Sequence, residues 1–382
     1  MKRIGITTIT ILVDNENAYN YGNKLQNYAL QEFLRKNAFE AETIKYKFTT
    51  PKYNLKKEEI KENKQNIIQV IDDGWRIIKR KLFSKTIAEK KLQRIEKFKN
   101  FTDANIRYNS KIYDQNSNFD KLNEQYDYFI TGSDQVWNPY CEGSNEFYYL
   151  TFAPKNKRIA YAPSIAVNSI PEEAKKDYKK WISEIKNVSI REDVGKEMLK
   201  KEFDIDAKLV CDPVFLLTKD MWKKIAKKVE NPQKYFLIYI LGKKNIETKK
   251  AIKKLEKKYN MKGIDLYTRD DKNSSFSGPE EFLGLLDNAE FVLTDSFHGT
   301  AFASIFEKPM IIVDRKTNSA STKMNSRIES LLRLLEVENR SAEYILNNPN
   351  ELNIDYQLKS TKLKKLIEES KEYLLSALDD NK

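Results

Sequence analysis

The sequence predicts an α/β protein with two doubly wound, Rossmann-like domains that face each other across a cleft. The chain has 382 residues, more than one hydrophobic core usually serves. Apolar runs typical of buried strands alternate with amphipathic helical patterns in both halves, as in parallel α/β sheets. The segment 207–217 ends the first series of strands and helices. We therefore expect an N-terminal domain at 1–215 and a C-terminal domain at 216–382, whose last helix can pack back on the N-terminal domain.

The charge balance is basic, with 68 Lys and Arg against 56 Asp and Glu, a net charge of +12. Acidic residues are interspersed with the basic ones, which indicates a solvated surface first and affinity for anionic substrates or membranes second. No basic stripe with interleaved aromatics indicates nucleic-acid binding. Two cysteines, Cys141 and Cys211, are too few for a disulfide framework or a metal quartet, and they fit a reducing cytosol.

The first element predicted is a buried strand within residues 1–13. Two basic residues and an apolar run give this stretch a superficial likeness to a signal peptide, but threonines recur in it and no cleavage site follows. No window reaches the roughly 18 apolar residues that a membrane span needs. We therefore expect a cytoplasmic protein.

A polar turn and an amphipathic helix follow the first strand. Ligands of doubly wound folds collect at the carboxyl ends of the strands, so the turn residues Asn20, Tyr21 and Asn23, which flank Gly22, are candidate ligand contacts. A simple turn explains the same residues equally well. The Lys- and Glu-rich stretch 51–100 then predicts a helical insertion. We favour a cap over the domain, and the alternative is contact of the basic segment 76–83 with the cytosolic face of an anionic membrane.

The next strand, near residues 126–131, runs into a turn rich in hydrogen-bonding side chains. Ser133, Asp134 and Gln135 can bind sugar hydroxyls, and Trp137 can stack on a sugar ring. Asp134 can also accept a hydroxyl proton, although a structural aspartate in a turn is an equal alternative. Ser164 ends the following strand in the same way.

Arg191 lies at the end of an apolar strand, where an arginine is costly unless it faces a cleft or is paired. It is therefore a candidate for binding an anion, and the alternative is an ion pair with Glu192 or another acid. Beyond residue 217 the pattern predicts strands at 235–241, 263–267 and 309–314. It predicts helices at 246–259, from 279, at 327–335 and at 358–378.

The segment 291–306 reads as strand, tight turn and buried helix, and its turn holds His298, the one histidine of the chain. The unpaired amides of a helix N-terminus carry partial positive charge and suit phosphate or carboxylate groups. The same field disfavours an imidazolium, so we expect a neutral ring until an anion binds. A hydrogen-bonded core or turn histidine is the alternative.

Several segments in the same order resemble the polysaccharide pyruvyl transferase family. The resemblance runs from about residue 4 to residue 336 and rests on Asn20-Tyr-Gly-Asn23, Gly132-Ser-Asp-Gln-Val-Trp-Asn138, Tyr161-Ala-Pro-Ser164, Val188-Ser-Ile-Arg-Glu192, Cys211-Asp-Pro-Val-Phe215 and Thr294-Asp-Ser-Phe-His-Gly299. It implies two domains of the glycosyltransferase-B type. It also implies transfer of a pyruvyl group from phosphoenolpyruvate to a sugar of a cell-surface polysaccharide or its precursor. The product is a pyruvate ketal, phosphate is released, and no metal or cofactor beyond the co-substrate is required.

The family's histidine falls on His298 and its strand-end arginine on Arg191. Members often carry Arg-Leu-His where this chain has Ser296-Phe297-His298, so a second arginine is missing. Lys323, Arg327 or Arg315 then supplies the charge, or the donor differs.

The resemblance and the chemistry together assign roles. An enol phosphate needs a proton on its methylene carbon, and histidine is the natural acid near neutral pH. The expected catalytic residues are His298 and Asp134. The remaining expected site residues are Arg191, Ser296, Gly299, Thr300, Lys323 and Arg327 for the donor, and Asn20, Tyr21, Asn23, Ser133, Gln135, Trp137 and Ser164 for a nucleotide- or lipid-linked sugar acceptor.

Two other functions fit the same sequence. One is a glycosyltransferase that uses a nucleotide sugar on the same fold, although the C-terminal half lacks a glycine-rich nucleotide loop. The other is a noncatalytic carbohydrate-binding assembly protein, which would need the Trp137 turn but not His298.

Overall fold

The computed structural model describes residues 1–10, 20–48, 52–53, 89, 92–141, 145–167, 169–229, 233–242, 244–267, 277–314, 324–337 and 339–379. Most of the expected insertion, including the basic segment 76–83, lies outside these residues. So do the candidate donor ligands Lys323 and Arg315. No helix in the described part of the chain is both long enough and apolar enough to cross a membrane.

The N-terminal domain is built on a five-stranded parallel sheet in the order β3-β2-β1-β4-β5. The central strand β1 is short but almost fully buried, because Ile4 and Ile6 lie in the apolar core on one face and Phe129 covers Gly5 on the other. The strands are β1 Arg3–Thr7, β2 Glu40–Tyr46, β3 Tyr108–Tyr113, β4 Tyr128–Thr131 and β5 Arg158–Ala160.

The helix α1, Tyr21–Lys36, connects β1 to β2. The side chain of Asn20 caps its N-terminus by accepting a hydrogen bond from the amide of Gly22 at 2.9 Å. Arg35 and Lys36 lie in its last turn, where positive charge complements the helix dipole. Further along the domain come α2 at 92–105, α3 Asp120–Gln125, α4 Glu172–Ser183 and α5 Asp193–Phe203, with a short parallel pair of β6 Ser189–Ile190 and β7 Lys208–Leu209.

The C-terminal domain has a four-stranded parallel sheet in the order β11-β10-β8-β9. A 3₁₀ turn, Pro213–Leu216, leads into it from β7. Its strands are β8 Tyr235–Tyr239, β9 Lys262–Asp265, β10 Val292–Thr294 and β11 Met310–Ile312. Its helices are α6 Lys219–Ile225, α7 Ile246–Tyr259, α8 Pro279–Asn288, α9 Phe297–Ile305, α10 Met324–Leu334, α11 Ala342–Asn347 and α12 Thr361–Ala377.

The two parallel sheets confirm the predicted fold class of two Rossmann-like α/β domains, the architecture of the glycosyltransferase-B type. The domains are in direct contact, and one apolar core is continuous between α1 of the first domain and α8 and α9 of the second. On one side α12 crosses to the N-terminal domain, where Ser370 Oγ accepts a hydrogen bond from the amide of Cys211 at 2.8 Å. On the other side α2 reaches the C-terminal domain, where Arg94 Nη1 donates to the carbonyl of Leu266 at 2.8 Å.

Candidate functional site

His298 lies in the first turn of α9, directly after β10. The hydroxyl of Ser296 caps this helix by accepting from the amide of Gly299 at 3.3 Å. Gly299 allows the helix to start tightly over the strand, since a Cβ at this position would lie 2.2 Å from Thr294 Oγ1. The imidazole is only 7% exposed and lies between the two domains.

The N-terminal domain meets this imidazole through Gly22 in the first turn of α1. A Cβ built on Gly22 would lie 2.0 Å from Nδ1 and 2.3 Å from Cγ of His298. The ring therefore occupies the space of a side chain that Gly22 lacks. Packing against His298 across the domain boundary therefore restricts position 22 to glycine.

Asp212 is the acid that faces the imidazole. It is 1% exposed, and its Oδ2 lies 3.6 Å from Nε2 of His298. The same oxygen accepts from Arg191 Nη1 at 2.5 Å and lies 3.0 Å from Ser133 Oγ. Groups from both domains thus converge on one carboxylate oxygen.

The environment of Asp212 favours its ionised form. Burial alone would raise the pKa of this carboxyl group, but the nearby charges of His298 and Arg191 and a hydrogen bond from the amide of Val214 hold the pKa well below its usual range. Asp212 is therefore a fixed negative charge at the domain junction. The fold thus places a buried acid beside the imidazole, which the sequence did not indicate.

Arg191 has the ion pair that the sequence offered as one of two alternatives, and binding of an anion stays a prediction. Its side chain is fully buried and pairs with Asp212 and, through Nε at 3.4 Å, with Glu192. Its guanidinium carbon lies 4.6 Å from the centre of the Phe297 ring, a cation–π contact between the domains. Among the described residues, however, no hydrogen-bond partner is within reach of Arg191 Nη2 or of His298 Nε2. Buried donors of this kind are where a ligand oxygen gains most.

The other candidate donor ligands are placed around this cluster. Ser296 and Thr300 are buried, and the Thr300 hydroxyl donates to the Ser296 carbonyl at 3.1 Å. The Ser296 hydroxyl and the Gly299 amide already bond each other in the helix cap. Arg327 is buried in the first turn of α10, which packs on α9. Farther along α10, Arg333 Nη2 donates to Asp193 Oδ2 at 2.6 Å, at the start of α5 in the N-terminal domain.

Asp134, the second candidate catalytic residue, lies beside α1. It adopts a left-handed backbone conformation with φ of 68°, and its Oδ2 accepts from Asn23 Nδ2 at 3.3 Å. Asn23 follows Gly22, so the hydrogen bond between Asn23 and Asp134 lies next to the contact of Gly22 with His298. Ser133 lies between Asp134 and the cluster, with its amide donating to Gln26 Oε1 at 3.2 Å. The structure thus brings Asn23, Ser133 and Asp134 together with His298 and Arg191.

Two candidate acceptor ligands, Trp137 and Tyr21, are fully buried in this structure, which disagrees with the exposed ring that sugar stacking needs. Trp137 is 0% exposed, its ring stacks on Tyr149, and its indole N–H donates to the Tyr148 carbonyl at 3.0 Å. Tyr21 is also 0% exposed and stacks on Phe282 of the C-terminal domain. Both are amphipathic aromatics whose polar group is satisfied inside the core, a use that local sequence does not distinguish from a binding surface.

The remaining acceptor candidates have internal partners. Asn20 is the cap of α1, and the amide oxygen of Gln135 accepts from Asn138 Nδ2 at 2.8 Å. The hydroxyl of Ser164 is buried and donates to Glu192. Their sugar-binding roles stay predictions.

Sequence reasoning missed Asp212 and the packing role of Gly22. The available signal for Asp212 was an acid between apolar residues and a proline, within Cys211-Asp-Pro-Val-Phe215. Its partners lie far away along the chain, so no local pattern indicated the contact. Among the described residues, no group of three or more His, Cys, Asp or Glu side chains is arranged to hold a metal ion.

The fold and the cluster together define a two-domain α/β protein with a buried histidine, arginine and aspartate at the domain junction. A family model described as polysaccharide pyruvyl transferase matches residues 20–317, well over half of the chain. The chain belongs to this family. Its members are transferases of polysaccharide biosynthesis.

Solved structures with similar architecture include sugar-nucleotide enzymes. A UDP-GlcNAc 2-epimerase from Neisseria meningitidis, bound to UDP-GlcNAc, is 12% identical over 99% of both chains, with a TM-score of 0.45. One from Methanocaldococcus jannaschii is 15% identical over 93% of this chain and 94% of its own, with a TM-score of 0.46. The glycosyltransferase SsfS6 of Streptomyces sp. SF2575 is 11% identical over 99% of this chain and 100% of its own, with a TM-score of 0.37.

With TM-scores below 0.5, these matches carry no argument about the substrate of this chain. No curated protein sequence matches it.

Proposed function

We propose that this protein transfers a pyruvyl group from phosphoenolpyruvate to two hydroxyls of a sugar in a polysaccharide or its precursor. The observation that carries the proposal is the convergence of His298 and Arg191 on Asp212 Oδ2, with one buried nitrogen of each side chain lacking a described partner. Phosphoenolpyruvate needs an acid to protonate its methylene carbon and a cation to bind its phosphate or carboxylate, and the two groups must lie side by side. Membership of the family supports this donor over others.

The first step is protonation of the donor. His298, as imidazolium, donates its proton to the methylene carbon, whose new C–H bond takes the electron pair of the double bond. The adjacent carbon becomes electrophilic, and the first sugar hydroxyl bonds to it while its proton passes to Asp134. General acid catalysis of this kind contributes about 10²–10⁴-fold in rate.

The second step releases phosphate and closes the ring. The bond between the central carbon and the phosphate oxygen breaks, and the electron pair leaves with the phosphate. The second hydroxyl then bonds to the same carbon and gives its proton to the departing phosphate. The proton held by Asp134 returns to His298 through solvent, so one donor and one diol yield one ketal and one hydrogen phosphate.

Arg191 binds the anionic donor in this scheme. Its planar guanidinium offers five N–H donors, and Asp212 and Glu192 engage only Nη1 and Nε. The remaining Nη2 is available for a carboxylate or phosphate oxygen. The N-terminus of α9 adds partial positive charge in the same region.

The test is incubation of the purified protein with phosphoenolpyruvate and a panel of free, nucleotide-linked and lipid-linked sugars. We expect phosphate release that depends on one acceptor, and a mass increase of that acceptor by one pyruvate less one water. His298→Gln, of similar size but without an acidic N–H, serves as the inactive control. Thermal stabilisation by a nucleotide sugar and not by phosphoenolpyruvate would contradict the proposal and favour a glycosyltransferase.

A further inference from the structure

We propose that Asp212 is a positioning residue, which holds His298 and Arg191 in one arrangement and places a negative charge beside the imidazole, 3.6 Å from its Nε2. The inference rests on the proposed function for its catalytic meaning. The contact between Asp212 and His298 is present in the protein without any substrate. Its effect on His298 can therefore be tested separately from the proposed reaction.

The contacts of the two carboxylate oxygens separate two roles. Oδ1 accepts from the amide of Val214 at 3.1 Å and so begins the 3₁₀ turn that leads into the C-terminal domain. Oδ2 has no partner in that turn and instead faces Arg191, Ser133 and His298. Oδ1 stabilises the 3₁₀ turn, and Oδ2 contacts the side chains of the candidate site.

The distance to His298 fits a charge interaction better than a hydrogen bond. At 3.6 Å, Nε2 is beyond ordinary N–H···O bonding distance yet close enough for a strong attraction between opposite charges in a buried setting. Asp212 Oδ2 therefore faces Nε2 without holding it in a hydrogen bond. Within the described part of the chain, Nε2 is left free for a hydrogen bond to a substrate.

Other charged groups flank the same region. Arg191, at the end of β6, pairs with the same carboxylate oxygen that faces the imidazole. Glu192 bonds Arg191 and Ser164, and Asp134 bonds Asn23, so each of these acids is bonded to a group other than the imidazole. The α1 helix faces the ring with Gly22, which carries no charge.

The experiment uses the fact that His298 is the single histidine of the chain. Selective ¹³C-histidine labelling of untagged protein gives one imidazole signal, whose chemical shift against pH reports the protonation of His298 with no assignment step. The variant is Asp212→Asn, which keeps an acceptor for the Val214 amide and removes the charge. The matched control is Glu192→Gln, which removes a buried charge from the other side of Arg191.

We expect Asp212→Asn to move the histidine titration midpoint to lower pH by about one unit or more, as loss of a close opposite charge does. We expect Glu192→Gln to move it by a small fraction of that. If the proposed reaction is correct, the alkaline limb of the rate profile moves to lower pH by the same amount in Asp212→Asn. A merely structural aspartate would lower the melting temperature without moving either midpoint.

A folded Asp212→Asn protein whose midpoint stays within a few tenths of a pH unit of the wild type overturns the inference. Circular dichroism and thermal melting establish that the variant is folded. If the single variant does not fold, Arg191→Gln is compared with the double variant Arg191→Gln/Asp212→Asn, in which no unpaired arginine remains. The inference then requires that the double variant have the lower histidine titration midpoint. A shift without any turnover of phosphoenolpyruvate leaves the charge assignment standing and rejects the proposed reaction instead.

Discussion

Gly22→Ala tests whether the position of His298 depends on the neighbouring domain. The added Cβ would lie 2.0 Å, 2.3 Å and 2.7 Å from Nδ1, Cγ and Cε1 of the imidazole, whereas ordinary contacts begin near 3.4 Å. The ring must therefore retreat by more than an ångström, and as part of the first turn of α9 it cannot simply swing away. The opposing surface is the rigid edge of a ring.

Gly22→Ala should change activity far more than stability. Overpacking of this kind costs about 1–3 kcal/mol, and the higher helix propensity of alanine offsets up to about 1 kcal/mol of that. Displacement of a catalytic group by about an ångström costs about 100-fold in rate. We therefore expect Gly22→Ala to lower the free energy of unfolding by at most about 3 kcal/mol while lowering phosphate release about 100-fold.

The assay measures phosphate release, thermal melting and the single histidine NMR signal on the same preparation. Gly195→Ala is the matched control, because its Cβ would meet the terminal methyl of Ile190 at 2.7 Å, and that methyl can rotate away. The control should lose little activity. Activity of Gly22→Ala within about twofold of the wild type, with an unmoved histidine signal, would refute the packing argument.

Four further predictions follow from particular contacts. His298→Ala should abolish phosphate release while circular dichroism shows an intact fold, and retained turnover would remove His298 from its role. Arg191→Lys should weaken phosphoenolpyruvate binding in thermal-shift titrations and lower stability by up to about 3–5 kcal/mol, because an ammonium cannot reproduce the planar pairing. Trp137→Phe should lower the free energy of unfolding by about 1–3 kcal/mol through the lost indole hydrogen bond and leave the KM for the sugar unchanged; a raised KM would restore Trp137 as a sugar ligand. Burial lowers the pKa of Lys24 to about 8. The charged side chain therefore destabilises the fold fully below pH 8, and this effect disappears as pH rises toward 10.5. Lys24→Met should raise the free energy of unfolding at pH 7, measured by urea denaturation, by up to about 3 kcal/mol.

The sequence predicted the periodic features of this protein well, because strands and helices are local. The β10–α9 junction with its histidine, the capped helix after β1 and the strand-end arginine all lie where the patterns indicated. Exposure was predicted less well. Trp137 and Tyr21 have the composition of binding residues, but their positions in the aromatic core depend on residues more than ten positions away.

Asp212 shows why part of the site was beyond sequence reasoning. Its partners Ser133, Arg191 and His298 follow strands of three different sheets, and the packing of those sheets brings them together. A buried acid beside a proline predicts only a turn when taken alone. The charge balance of the cluster becomes visible once all three sheets are placed.

The position of Asp212 in the polypeptide has a consequence for motion. It lies in the stretch through which the chain passes from the first domain to the second, while Arg191 belongs to the first and His298 to the second. A rotation of one domain against the other would move His298 away from Asp212 and Arg191. The three side chains therefore meet at one relative orientation of the two domains.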